Sequence, residues 1–332
     1  MKAIEIARHG GPEELRTVER PEPTPAGEEV LVRNRWIGVN YVDVQHREGR
    51  PYPVELPLVP GIEAAGDVVA AGPDADPALV GRPVVHFGHM AGVYAELTAV
   101  GPAHVVPLPA DVPLDVAAAV AMCGSTAYVL TREATQPVRG DTVVVQAAAG
   151  ATGGAVVQLA SAAGAEVVAL ASTPEKAAAA RQLGATHAVA LDETPDPVAE
   201  VLGVTGGDGA AIVYDAGGRD TFEASLDMLA TRGTLVLYGQ SSGPVEPFDP
   251  GRLSGITGVG RAGSLTLRWV SASNDYLRTG ADRARAMATV FQAFADGNFD
   301  PRIDERLPLE HAAKAHERLA SRAVMGKLLL AT

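Results

Sequence analysis

The chain has one cysteine, Cys123, among its 332 residues. A single thiol excludes an intramolecular disulfide framework and a cysteine-rich zinc lobe. Aromatic residues make up 5% and charged residues 20%, against 47% hydrophobic residues. That is still the composition of a globular protein with a substantial core. Positive charge is in deficit: 27 lysines and arginines face 40 aspartates and glutamates, a net charge of −13. This argues against nonspecific nucleic-acid binding, which needs a basic face. The opening residues, MKAIEIARHGGPEE, lack the long apolar run of a signal peptide. No apolar stretch is expected to reach the roughly 20 residues of a membrane span, because polar breaks such as VALDETP interrupt each candidate. The expectation is a cytoplasmic enzyme acting on a small molecule, with neither nucleic acid nor membrane as partner.

What is present falls into two patterns. Up to about residue 120, short runs such as EEVLVRNRWIGV (28–39), AAGDVVAAG (64–72) and VGRPVVHF (80–87) sit between Gly and Pro clusters, which reads as β-rich. From about 122, strand-like runs alternate with amphipathic segments: VVVQ, EVVAL, THAVAL, AAIVYD, TLVLYG and SLTL, with PEKAAAARQLGA and TFEASLDMLATRG between them. Such alternation implies a doubly wound parallel sheet. A tail from about 280, ending in the strand MGKLLLA, lies outside the alternation and is expected to return to the first domain. The fold class is therefore α/β in two domains: a β-rich one, 1–121 with 266–332, and a doubly wound one, 122–265.

Between VVVQ and the helix that follows lies a turn whose window Ala148–Gly153 reads A-A-G-A-T-G. The dinucleotide fingerprint G-x-G-x-x-G has its second and third glycines here as Gly150 and Gly153, and its first as Ala148. Glycine at such a turn allows close approach to a pyrophosphate, and the helix N-terminus supplies free N–H groups. The placement between strand and helix strengthens a pattern that is weak alone. A site for NAD usually carries Asp or Glu at the end of the second strand. Here that strand ends in LASTPEK, with Ser172 and Lys176 and no carboxylate at its end. A hydroxyl and an ammonium suit a 2′-phosphate, so NADPH is favoured over NADH.

These residues carry a resemblance. AAAGATGGAVVQLASAAGA, joined to RHGGPEELR (8–16), WIGVNYVDV (36–44), PGIEAAGDV (60–68), YDAGGRDTFEASLDMLATRGTLVLYGQSSG (214–243) and AHERLASRAVMGKLLL (315–330), is similar to the zinc-independent quinone oxidoreductase branch of the medium-chain dehydrogenase/reductases. The resemblance implies a GroES-like catalytic domain, a Rossmann domain, NADPH, a homodimer, and hydride transfer to quinones or α,β-unsaturated carbonyl compounds. It implies Asn40 and Asp43, the N-x-x-D pair of VNYVD, at the nicotinamide end. It implies Thr126, Gly150, Ala151, Thr152, Gly153, Ser172, Lys176, Gly239, Gln240, Ser241 and Arg322 around the rest of the cofactor. The family's G-G-V-G is here G-A-T-G, and a tyrosine often found near the adenosine phosphate is replaced around Leu191.

The alcohol dehydrogenases of the same superfamily hold a catalytic zinc, which needs about three protein ligands. Asn40 and Ile62 stand where such proteins have a cysteine and a histidine, and Cys123 lies near the third ligand position. No metal site is expected, and the tight pair His86 and His89 reads as exposed loop histidines. Hydride addition to a conjugated system remains open without a Lewis acid, because delocalisation spreads the developing charge. An enone then needs a proton. Tyr52, in the loop after the N-x-x-D helix, is the candidate donor, since a phenol with a pKa near ~10 is protonated at neutral pH. Tyr41 is a competitor expected to be buried, and Trp269 a candidate pocket wall. The short apolar run SLTL (264–267), near the end of the Rossmann sheet, is the expected dimer edge. Two other readings stay open: an NADPH-bound lyase or cyclase doing acid/base chemistry, and a non-catalytic NADPH-binding module.

Overall fold

The computed structural model describes residues 1–88, 91–256 and 260–332. The chain forms two compact units: Met1–Ser125 with Leu277–Gln292 and Pro301–Thr332, and Thr126–Tyr276 with Ala293–Asp300.

The first unit opens with the antiparallel pair β1 (Lys2–Ile6) and β2 (Leu15–Glu19). The long strand β3 (Val30–Val39) leads into helix α1 (Tyr41–Glu48), and β4 (Glu63–Ala71), β5 (Pro83–Phe87), β6 (Leu97–Val100) and β7 (Val105–Pro107) follow. Helix α2 (Leu114–Tyr128) carries the chain out of this unit. Along β3 Val30–Val32 and Ile37–Val39 are buried throughout, and Arg33 and Arg35 are exposed on either side of the buried Asn34.

The second unit holds β8 (Thr142–Val145), α3 (Ala151–Ala162), β9 (Glu166–Ala171), α4 (Pro174–Gln182), β10 (His187–Ala190), α5 (Pro197–Val204), β11 (Ala210–Asp215), α6 (Phe222–Asp227), β12 (Leu229–Leu237) and β13 (Thr266–Trp269). Its parallel strands stand in the order β10-β9-β8-β11-β12-β13. The order reverses between β8 and β11, and in such sheets ligands bind beyond the carboxyl ends of the strands at that point. β8 and β9 are buried almost end to end, TVVV and EVVALA, as expected for strands covered by helices on both faces.

The tail then forms α7 (Gly280–Ala295), β14 (Ile303–Pro308), α8 (Ala312–Ala320) and β15 (Lys327–Ala331). Most of it lies in the first unit, and Ala293–Asp300 in the second. β15 pairs antiparallel with β3, completing the sheet β14-β15-β3-β4-β5-β7, with β6 also on β3. The boundary expected at 265/266 falls inside the parallel sheet instead. β13 pairs with β12 from Thr234↔Thr266 to Leu237↔Trp269, so the second unit runs on to Tyr276.

Two further expectations need correction. The stretch Leu114–Ala134 is helical over 21 residues with mean hydropathy 1.5, long and apolar enough to cross a membrane. It reaches that length because α2 runs on through Val129–Ala134. With 72% of its apolar window buried, it reads as a core helix rich in small alanines. His86 is likewise no exposed loop residue. It lies on β5, fully buried, with Nε2 2.8 Å from Asn34 Oδ1, while His89 lies outside the described residues.

Candidate functional site

In the second unit the expected cofactor residues, Thr126 on α2 apart, follow the carboxyl ends of β8, β9 and β12. β8 ends in a tight turn in which Gly150 is the N-cap of α3, in extended conformation. The positive φ of this turn falls on Ala147, at 52°, and not on a glycine. Gly153 is a glycine for a different reason: a Cβ there would drive into the carbonyl oxygen of Ala147, so its absence lets helix and strand pack closely. No side chain caps the N-terminus of α3, and its first turn holds no acidic residue. No side chain thus meets the N–H groups of the first turn of α3 as a cap.

Beside it, β9 ends at Ala171 and Ser172 is exposed. Thr173 caps α4, accepting from the Lys176 N–H at 3.4 Å, and places Lys176 half-buried one turn away. Leu191 packs against the apolar core of this unit. β12 leads into Gly239, Gln240 and Ser241. The Ser241 N–H donates to Ala216 O at 3.0 Å, and a Cβ on Gly239 would meet the same carbonyl oxygen at 2.8 Å. β13 is the edge strand, and its last residue, Trp269, is 49% exposed. Thr126 is half-buried on α2, the first residue of this unit.

In the first unit Asn40 is the N-cap of α1, and Asp43, at its third position, accepts the Asn40 N–H at 2.8 Å. Asp43 is fully buried, and its bond to the Asn40 N–H closes the turn that opens α1. Burial pushes its carboxyl up to about 7, against the pull of the Asn40 N–H and of Lys327. Oδ2 also accepts the Tyr94 hydroxyl at 3.0 Å, while Oδ1 has no partner among the described residues.

The Asn40 side chain is tied to two residues that sequence reasoning did not assign a role. Its Nδ2 donates to Glu63 Oε1 at 2.7 Å and to Gly38 O at 3.3 Å, and its Oδ1 accepts from Lys327 Nζ at 2.7 Å. Lys327 also pairs with Glu63 Oε1 at 2.5 Å, with both side chains buried. Glu63 Oε2 accepts the Met122 N–H at 2.6 Å. The signal was present in the sequence. A Glu in PGIEAAG and a Lys opening KLLLA are charges at the start of apolar strands, and buried charges need partners. Beside them, burial pushes the Cys123 thiol up to about 12. Among the described residues no group of three His, Cys, Asp or Glu could hold a metal ion.

The remaining candidates lie at the surface of this unit. Tyr52 is 39% exposed. Tyr41, expected to be buried, is 37% exposed, at the first residue of α1, ahead of the buried stretch Asp43–Arg47. Arg322 is exposed between α8 and β15 with φ at 58°, a left-handed conformation uncommon for a residue with a Cβ.

A β-rich unit interrupted by a Rossmann-order sheet, with an anion-ready turn after the first parallel strand, defines a medium-chain dehydrogenase/reductase. The comparisons with known proteins agree. The family model "Alcohol dehydrogenase GroES-like domain" matches residues 26–110, and "Zinc-binding dehydrogenase" matches residues 151–276. A quinone oxidoreductase of Pseudomonas aeruginosa is 37% identical over 332 residues, 99% of each chain. A 2-haloacrylate reductase of a Burkholderia species is 32% identical over 333 residues, 99% of this chain and 98% of the relative. The crystal structure of Escherichia coli quinone oxidoreductase complexed with NADPH superposes with a TM-score of 0.94 at 34% identity over all of both chains. The chain belongs to the quinone oxidoreductase branch of that superfamily.

Proposed function

We propose that this protein is a zinc-independent, NADPH-dependent reductase that delivers a hydride to a quinone or an α,β-unsaturated carbonyl compound. The observation that carries the reading is the uncapped N-terminus of α3 behind the close-packed turn Ala147–Gly153. It is a cradle that fits a dinucleotide diphosphate, with the Ser172 and Lys176 strand end as the place for a 2′-phosphate. The relatives add support. One is named a quinone oxidoreductase, a similar structure contains NADPH, and the haloacrylate in the third name is an α,β-unsaturated acid. These names are all reductases, which leaves the lyase or cyclase alternative without support.

NADPH, when bound, supplies the hydride. The N–H groups of Ala151–Gly153 would hold its diphosphate, since that of Gly150 is already bonded to Ala147 O at 2.9 Å, and Lys176 with Ser172 would select its 2′-phosphate. Gly239, Gln240, Ser241 and Thr126 of the second unit, and Asn40 and Arg322 of the first, would be further contacts to the cofactor. Tyr41 in the first unit and Trp269 in the second would be candidates to face the substrate, and Tyr52 would give an enone its proton. Quinone oxygens take theirs from water. No zinc takes part. At the three positions compared with zinc ligands stand an amide, an alkyl group and a thiol kept protonated by burial, and Glu63 nearby is already paired with Lys327. The exposed edge strand β13 favours pairing with a second copy of the chain. Light scattering at micromolar concentration should give the mass of two chains, and the mass of one would refute the dimer.

The experiment is a stoichiometry. Purified protein is mixed anaerobically with NADPH and a small quinone. One NADPH should disappear for each hydroquinone formed, with no loss on treatment with a chelator. Quinone or enone conversion that leaves NADPH intact would overturn the reading.

A further inference from the structure

We infer that Lys327 and Glu63 are positioning residues that fix the orientation of the Asn40 amide, so that Asn40 meets the cofactor as a hydrogen-bond acceptor and never as a donor. The inference rests on the proposal that Asn40 contacts the cofactor, and it says with which atom.

The two ends of an amide side chain differ only in hydrogen-bond chemistry, so their neighbours decide which is which. An ammonium can only donate and a carboxylate can only accept. Lys327 Nζ lies 2.7 Å from one end of the Asn40 amide, which must therefore be Oδ1. Glu63 Oε1 lies 2.7 Å from the other, which must be Nδ2. A flipped amide would set donor against donor at Lys327 and acceptor against acceptor at Glu63.

Neither neighbour is free to follow such a flip. Lys327 and Glu63 are bonded to each other at 2.5 Å, and the far oxygen of Glu63 is held by the Met122 N–H at 2.6 Å. The three side chains close a ring. The backbone of Asn40 is fixed as well, because its N–H is bound by Asp43.

The ring determines what Asn40 has left to offer. One Nδ2 hydrogen goes to Glu63 and the other to Gly38 O at 3.3 Å. Both donors are used inside the protein. Oδ1, with two lone pairs, is the atom that can meet a ligand. The group it recognises must carry a hydrogen, such as a ribose hydroxyl or a carboxamide N–H, both of which a nicotinamide nucleotide has. Asn40 therefore does not stabilise the negative oxygen that develops on a reduced quinone or enone, since that would need an N–H.

Removing Lys327 alone leaves an unpaired buried carboxylate and threatens folding, so the pair is neutralised together. In K327M/E63Q the Met122 N–H claims the oxygen of the new amide at position 63, which turns the nitrogen of that amide toward Asn40. Asn40 then presents its own oxygen inward and an N–H outward. The dissociation constant for NADPH, followed by nucleotide fluorescence, should rise about tenfold, the scale of one hydrogen bond changed to a clash. NADH should weaken by the same factor, because the 2′-phosphate is not involved. In an N40A background the double substitution should add no further loss, since it acts through Asn40. Lys327→Arg, which keeps the charge beside Glu63 but displaces the donor on Oδ1, provides the same comparison should K327M/E63Q fail to fold. It should cost several-fold in affinity, and only when Asn40 is present.

Losses that add to those of N40A, or wild-type affinity in the positioning variants while N40A alone is weakened, would overturn the inference and leave the cofactor contact standing. Wild-type affinity in N40A itself would remove the contact, and the inference with it.

Discussion

The Tyr94 hydroxyl donates to Oδ2 of Asp43 at 3.0 Å, and both groups are buried. Behind Tyr94, His316 Nε2 lies 3.2 Å from the same hydroxyl, and Arg47 lies 3.4 Å from His316 Nδ1. Since arginine only donates, Nδ1 is the accepting nitrogen and Nε2 carries the hydrogen. The bonds therefore run in one direction, from Arg47 through His316 and Tyr94 to Asp43. Burial holds His316 neutral, pushing it down to about 3.

This arrangement has a pH signature. The folded value of Asp43, about 7, lies above its ordinary value of 3.8. Its contribution to stability is then complete below pH 3.8 and is lost as pH rises through about 7. His316 runs the other way. Its contribution is complete above pH 6.5 and is lost as pH falls toward 3. Asp43→Asn removes the first titration and leaves the second. The stability of the variant relative to wild type should therefore rise between pH 5 and pH 8, by at most about 3 kcal/mol. Denaturant unfolding at the two pH values measures this, and a constant difference would show that Asp43 stays ionised throughout.

Lys176→Ala should weaken NADPH by about 1–2 kcal/mol, the scale of a charged hydrogen bond, and leave NADH nearly unchanged. Titration of both nucleotides decides it. Equal losses would place the 2′-phosphate elsewhere.

Gly153→Ala should be costly although it adds a single methyl group in a helix, where alanine is ordinarily preferred. The new Cβ meets the backbone oxygen of Ala147, which cannot turn aside as a side chain would. A loss of about 2 kcal/mol or more is expected, the upper part of the range for overpacking, together with weaker nucleotide binding. A variant as stable as wild type would mean that α3 is not packed this closely on β8.

Tyr52→Phe distinguishes the two substrate classes. With an enone, kcat should fall by about 10² to 10⁴, the usual range for a general acid, with cofactor affinity unchanged. With a quinone the rate should hold, because water protonates the product oxygens. An unchanged rate on an enone would remove Tyr52 as the donor.

The alternation of strands and helices after residue 122 was legible because period and punctuation are local properties, and the turn between β8 and α3 was legible for the same reason. The return of β15 to β3 could be read only as a segment that fell outside the alternation. The expected boundary at 265/266 cut through SLTL, a run the alternation had already assigned to the parallel sheet, and the pairing of β13 with β12 carries that sheet on to Trp269. Ala147 was missed as the strained residue of the turn because a positive φ is expected on glycine. Lys327 was out of reach for another reason. It lies 287 residues from Asn40 in sequence, and no local pattern announces so distant a partner. Its signal was only that of a lysine beginning an apolar strand.

The central claim is that a hydride leaves the cofactor for the substrate, and isotopic tracing reads it most directly. The protein is given NADPH deuterated at the transferable C4 position and a conjugated enone, in a single turnover. The account predicts oxidised cofactor without the label and product carrying one deuterium at the β-carbon. Substrate converted while the NADPH is recovered with its deuterium in place would contradict it.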